Sequence, residues 1–168
     1  MKAAGVILAI AGALVLQTTL ARFFRGTVAV DFVLIVVVYV ALTSGPVTGL
    51  LAGTVAGILQ DALSSPVIGI GGLAKTIVGF LTGIIGTQFN VAQPLPRFVV
   101  FFSATVLHAA VFMGLYVLLD LRHFGTPYAA VAGQGLGNAV VGVVAFQLVE
   151  LLPGAVERRR AGKTRLRR

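Results

Sequence analysis

Several residue types are scarce or absent in this chain of 168 residues, and each absence excludes a class of protein. There is no cysteine, which excludes disulfides, thiolate metal sites and cysteine nucleophiles. The two histidines, His108 and His123, give no metal-ligand spacing. Charged residues make up only 11% of the chain, against about 25% in a soluble domain. With 58% hydrophobic residues and a mean hydropathy of +1.02, the sequence predicts an integral membrane protein.

Catalytic motifs are also missing. The chain has no Gly-rich phosphate loop, no GxSxG nucleophile turn and no HExxH zinc motif. Four of its five acidic residues lie near the ends of predicted helices, where a structural charge costs least, and Glu157 lies in the tail. We therefore expect no enzymatic activity and no cofactor or metal.

The hydrophobic runs predict an all-α, polytopic fold with six transmembrane helices in one domain, residues 1–156. Residues 26–60 are too long for a single span of about 20 residues, and Gly45-Pro46 divides them into a hairpin. The β-branched run before this turn would be a strand in water, but an unpaired strand is excluded in lipid. Residues 3–21 resemble a signal peptide but are too long for one. The predicted helices are 3–21, 28–43, 46–63, 71–88, 97–119 and 127–152, with Pro153-Gly154 ending the last.

A basic tail follows the last predicted span. Residues 157–168 carry one acid and seven basic residues: Arg158, Arg159, Arg160, Lys163, Arg165, Arg167 and Arg168. Such a cluster can bind nucleic acid. Directly after a span, a cytoplasmic anchor is the better interpretation, since basic residues stay inside and attract anionic lipid by about 1 kcal/mol each. Six helices then place both termini in the cytoplasm, and we expect no nucleic-acid partner.

Glycines recur every fourth residue in two neighbouring predicted helices. On one helix they are Gly45, Gly49, Gly53 and Gly57, followed at the same spacing by Asp61; on the next, Lys75 precedes Gly79 and Gly83. Glycines four apart let helix backbones approach closely in lipid. Gly49, Gly53, Gly57, Gly79 and Gly83 are therefore candidates for helix packing or partner contact. The alternative is chance, because the chain contains 21 glycines.

Ionisable residues inside a span are functional candidates by default, and here they are Asp61, Lys75 and His108. Asp61 and Lys75 fall at similar depth near the predicted outer side, so we predict an ion pair between them. The alternatives are that Arg22 or Arg25 pairs with Asp61, or that each charge is solvated separately. For His108 we expect a hydrogen bond to a neighbouring helix, with a role as proton carrier as the alternative. For Gln134 and Asn138 we expect hydrogen bonds between helices rather than a substrate site.

One segment resembles a known family. Its features are Asp31-Phe32, the turn at Gly45-Pro46, the three following glycines, Asp61-Ala62-Leu63-Ser64, and then Pro66, Gly69, Leu73, Ala74, Gly79 and Gly83. This pattern resembles the rod shape-determining protein MreD over residues 28–85.

The resemblance implies a non-enzymatic scaffold of the bacterial cell-elongation complex in the inner membrane. Such a protein would bind the single-span protein MreC, and through it RodA, a class B penicillin-binding protein and MreB. The family is also similar in fold to the six-helix substrate-binding components of energy-coupling vitamin transporters. This similarity supplies the alternative function, a vitamin-binding membrane subunit. The short outer loops and the lack of tryptophan favour the scaffold.

Overall fold

Helices account for nearly all of the described chain. A computed structural model describes residues 3–23, 30–64, 67–89, 91, 93–121 and 127–165, and for residues 22, 23 and 152–165 it describes the backbone alone. The described residues form α1 (Ala3–Phe23), α2 (Phe32–Ser44), α3 (Pro46–Ser64), α4 (Ile70–Gln88), α5 (Pro94–Leu118) and α6 (Tyr128–Arg165). Five of these are long and apolar enough to cross a membrane, and α2 is a shorter apolar helix. The protein is therefore an all-α, polytopic membrane protein.

Consecutive helices run antiparallel, so the bundle has two ends. We call the end at which α3 and α5 begin the tail end, because α6 continues from there toward the basic tail. The opposite end, where α4 and α6 begin, is the far end. This alternation follows from the short connections between apolar helices.

The centre of the bundle is α2. Val33, Val37 and Val40 pack with α1 and α3 in one apolar cluster. Leu34, Ile35 and Val38 pack with α4, α5 and α6 in another. A helix that is apolar on every side is one that is buried on every side. The β-branched run therefore forms the helix that all the others surround.

The length of α2 differs from the prediction. It has 13 residues, or about 20 Å at 1.5 Å per residue, which is shorter than a hydrocarbon core of about 30 Å. The predicted start near residue 28 is wrong; residues 28 and 29 themselves lie outside the described chain. Asp31 has extended backbone, and its side chain accepts a hydrogen bond from the Leu34 amide, so it caps a helix that begins at Phe32.

The end of α6 also differs from the prediction. The helix runs over 38 residues to Arg165, so the predicted stop at Pro153-Gly154 is wrong. A proline removes one backbone donor, while the hydrogen bonds on either side of it can continue the helix. The apolar, membrane-spanning part is Tyr128–Leu151.

Candidate functional site

The predicted glycine positions lie at the contact between α3 and α4. A Cβ added at Gly49 would meet the backbone oxygen of Gly79, and one added at Gly79 would meet that of Gly49. At Gly53 it would meet the backbone oxygen of Lys75. Gly57 faces the backbone of Gly72, and Gly83 faces Pro46. The two backbones touch along most of α3, so no side chain larger than hydrogen fits at these glycine positions.

This contact occupies the glycine face within the chain. Gly49, Gly53, Gly57, Gly79 and Gly83 are all buried. A partner protein therefore meets other surfaces, while the glycines join α3 and α4 into one unit.

Asp61 does not pair with Lys75, so this prediction is wrong. The buried Asp61 carboxylate accepts hydrogen bonds from the backbone amides of Gly69 at 2.9 Å and Gly72 at 3.1 Å. Gly69 is the N-cap of α4 and Gly72 lies in its first turn, where free amide donors and the positive end of the helix dipole attract a carboxylate. Asp61 is thus a cap that α3 supplies to α4. Arg22 and Arg25, the alternative partners, have side chains outside the described residues.

Lys75 instead pairs with Asp31. Its Nζ lies 3.1 Å from Asp31 Oδ2, and both side chains are buried. The same Nζ lies 3.1 Å from His108 Nε2 on α5. For the Lys75 ammonium to donate this hydrogen bond, Nε2 must be unprotonated, so His108 is neutral with its proton on Nδ1. Asp31, Lys75 and His108 together then carry no net charge, which is the arrangement that burial favours.

Hydrogen bonds extend this group to α1 and α6. Asn138 Oδ1 accepts from the Asp31 backbone amide at 2.8 Å, and Asn138 Nδ2 donates to Thr105 Oγ1 at 3.0 Å. The Gln17 side chain on α1 accepts from the Phe32 amide at 2.9 Å. Asp31, Lys75, Thr105, His108 and Asn138 form what we call the mid-depth cluster. Its hydrogen bonds satisfy the N-terminus of α2 at the centre of the bundle.

The cluster lies near the middle of the bundle's thickness. Asn138 lies about 15 Å along α6 from Tyr128, and His108 lies about 15 Å from the far end of α5 at Leu118. This is half of a hydrocarbon core of about 30 Å. Since Asp31 touches Asn138, α2 begins near the middle of the membrane and extends only to the tail end.

A second ion pair lies at the tail end. Arg97 Nη1 and Nη2 donate to the two carboxylate oxygens of Glu150 at 2.8 and 2.7 Å. The buried Arg97 also donates from Nε to the Val91 carbonyl at 3.0 Å and lies 3.9 Å above the Phe146 ring. The Glu150 side chain is 53% exposed. This pair joins the start of α5 to the end of the α6 span.

Sequence reasoning identified some of these residues and missed others. Lys75 and His108 were candidates, and His108 and Asn138 do bond to neighbouring helices. From the sequence, Asp31 and Glu150 are two of the acids near predicted helix ends, Asp31 is also part of the family pattern, and Arg97 is the first residue of a predicted helix. None of these features predicts their partners. The role of Asp31 as a helix cap is predictable from its position, because an aspartate directly before a fully apolar helix is a strong N-cap candidate. The side chains of the basic tail lie outside the described residues.

The cluster is packed rather than open. Three surface grooves of about 470, 320 and 350 Å³ lie between α1 and α3 and between α5 and α6, and their linings do not include the cluster residues. Within the described chain, no group of three metal-ligating side chains is present. The geometry thus supports a network that fixes helices rather than a reactive centre.

Comparison with known proteins places the chain in a family. A family model described as rod shape-determining protein MreD matches residues 2–153. The chain belongs to the MreD family. The match extends well beyond the segment 28–85 and includes all five helices of full span length. No curated protein and no solved structure matches the chain. MreD proteins are non-enzymatic, shape-determining membrane proteins, which agrees with the absence of catalytic motifs in the sequence.

Proposed function

We propose that this MreD-family protein is a membrane scaffold of the bacterial cell-elongation complex that binds MreC directly. Through MreC it is linked to RodA, a class B penicillin-binding protein and MreB. The observation that carries the proposal is the family match over residues 2–153. The closed polar cluster agrees with it, because a scaffold needs fixed helices and no substrate pocket.

Exposed apolar faces would make the contact with the single span of MreC. On α1 the exposed side chains include Ile7, Leu8 and Val15, and on α6 they include Leu136 and Val140. In lipid, helices associate through close van der Waals packing, so these faces are suitable for a partner helix. Photo-crosslinkers placed at these positions would identify the helix that MreC contacts.

The proposed topology has six membrane passages with both termini in the cytoplasm. Since α1 ends at the far end and α2 ends at the tail end, α2 belongs to a passage of its own even though it is short. The seven basic tail residues hold the tail end inside and attract anionic lipid. Reporter fusions at Arg168 and at Ser65 should report opposite sides, with Arg168 cytoplasmic. A periplasmic report at Arg168 would refute this orientation.

Depletion in the host tests the function. We expect rod-shaped cells to become round and MreC to co-purify with the tagged protein from membranes. A variant lacking residues 157–168 separates the tail from the scaffold, and it should keep MreC while losing affinity for anionic vesicles. Normal shape on depletion together with loss of uptake of a vitamin would overturn the proposal in favour of a transporter subunit.

A further inference from the structure

The bundle has two parts, and the helices within each part are joined by close backbone contacts, hydrogen bonds or an ion pair. The first, which we call the body, comprises α1 to α4, where α3 and α4 touch through their glycine backbones. The second, which we call the hairpin, comprises α5 and α6. Arg97 and Glu150 join the two helices of the hairpin at the tail end, and Asn138 donates to Thr105 at mid-depth. Phe101 also fills the space beside Gly142.

The interface between the body and the hairpin, which we call the seam, is held by different contacts. Within the described residues, α6 contacts α2 and no other helix of the body, and α5 contacts α2 and α4. Most of this seam is apolar, with Leu34, Val38 and Val78 against Phe101 and Ala139. Lipid chains can replace such contacts with little loss, because burial of apolar surface gains little in a membrane. The seam therefore depends on the polar groups that cross it.

Among the described residues, two polar contacts cross the seam at mid-depth, and both use neutral groups of the hairpin. His108 accepts from Lys75 at 3.1 Å, and Asn138 accepts from the Asp31 amide at 2.8 Å. The ion pair itself, Lys75 with Asp31, stays within the body. Separating the hairpin would leave that ion pair intact and break two hydrogen bonds, one between the Lys75 ammonium and the His108 ring and one between the neutral Asp31 backbone amide and Asn138. The bundle thus consists of two tightly packed parts, the body and the hairpin, and the contacts across the seam are weaker than those within each part.

We propose that His108 and Asn138 form a latch that holds the hairpin against the body, and that the hairpin moves as one unit when the latch is open. Sliding or hinging of packed helices along such a seam is an established form of conformational change in proteins. The latch acts only near mid-depth, because His108 and Asn138 both lie near the middle of the membrane and far from the two ends of the bundle. Opening it shifts α5 and α6 together, since Arg97 and Glu150 keep them joined.

Distance measurements between spin labels test the latch, and the absence of native cysteine makes the labelling simple. One pair, at Leu59 and Val140, spans the seam, and a second pair, at Val99 and Val144, lies within the hairpin. All four side chains are exposed. In nanodiscs, the His108→Met/Asn138→Leu variant should broaden the distance distribution across the seam about twofold. The distribution within the hairpin should stay as in the parent protein, because the Arg97–Glu150 pair and the packing of Phe101 beside Gly142 remain after the hydrogen bond between Asn138 and Thr105 is lost.

A matched control removes a hydrogen bond that does not cross the seam. Thr54 and Thr76 bond each other at 2.7 Å between α3 and α4, so Thr54→Val/Thr76→Val should leave both label pairs unchanged. The single variant His108→Gln keeps an acceptor for Lys75 and leaves Asn138 in place, so its distance distribution across the seam should be narrow, as in the parent protein. If the double variant does not fold, Asn138→Leu alone should broaden the seam distance by a smaller amount.

Two results would overturn the latch. In the first, the seam distribution stays narrow without His108 and Asn138. In the second, both label pairs broaden together, which would mean that these residues hold the whole fold rather than one seam.

Discussion

The two ion pairs described above use similar charges in unlike surroundings. Lys75 and Asp31 meet near the middle of the bundle, where both side chains are buried and their other partners are His108 and Asn138. Arg97 and Glu150 meet at the tail end, where the Glu150 side chain is 53% exposed. In the first pair each charge depends on the other, since no water can replace it. In the second, water and headgroups can solvate the half-exposed Glu150 carboxylate, while the buried Arg97 keeps the Val91 carbonyl and the Phe146 ring as neighbours. The same interaction is thus essential in one place and minor in the other.

Breaking the mid-depth pair should have the largest effect. Lys75→Met leaves the Asp31 carboxylate buried without a cation, and we expect a loss of about 3–5 kcal/mol in the free energy of unfolding. Denaturant titration in detergent micelles measures it. The neutral variant Asp31→Asn/Lys75→Met should recover a large part of the loss. If the double variant is as unstable as the single one, charge balance is not what holds the cluster.

A substitution beside Lys75, Gly53→Ile, should cause the second-largest loss of stability. In Gly53→Ile the new side chain meets the Lys75 backbone, which forces α3 and α4 apart at the level of the cluster. Overpacking of this kind costs about 1–3 kcal/mol, and lipid offers no compensation. Gly114→Ile is the matched control, because nothing lies within 4 Å of a Cβ added there. Equal stability of the two variants would contradict the close contact of α3 and α4.

The tail-end pair should respond less. Glu150→Gln keeps an acceptor for Arg97 and removes a half-exposed charge, so we expect a loss of about 1 kcal/mol. The difference from the parent should shrink in 1 M salt, where the screening length is about 3 Å. The loss caused by Lys75→Met should not change with salt. A salt-sensitive Lys75 variant would show that water reaches the cluster.

The Asp61 cap should respond least. Asp61→Asn keeps one acceptor oxygen for the Gly69 and Gly72 amides, and we expect a loss of about 0.5–1 kcal/mol. Because Asp61 does not contact Lys75, the effects of Asp61→Asn and Lys75→Met should add. Strong non-additivity, measured in the double variant by the same titration, would restore the ion pair that the sequence suggested.

Local patterns could be predicted from the sequence, and contacts between distant segments could not. The i, i+4 glycines predict that two neighbouring helices share a face, because the spacing and the backbone geometry are both local. The partner of Lys75 depends on the depth at which α2 begins. That depth follows from an Asp31 cap and from an Asn138 contact 107 residues away. With α2 placed a full turn too early, Asp31 falls near the membrane surface, and Asp61 becomes the nearest acid to Lys75.

The helix ends show the same limit. Gly45-Pro46 is a strong turn signal, and α3 does begin at Pro46. Pro153-Gly154 is just as strong by composition, yet α6 continues past it. A proline at the first position of a helix costs no hydrogen bond, whereas one inside a helix costs a bond that the rest of a long helix can outweigh. Composition alone does not distinguish these two cases.

The position of Asp31 in the sequence has a consequence for biosynthesis. This acid leaves the ribosome before every residue that neutralises or bonds it, because Lys75, His108 and Asn138 all follow it along the chain. At a translation rate of about 5–20 residues per second, Asp31 waits for a few seconds or more before Lys75 is made. Chains that end before α4 contain the Asp31 carboxylate but lack Lys75, the cation that pairs with it. The finished protein therefore buries a paired carboxylate, whereas such a fragment carries an unpaired one.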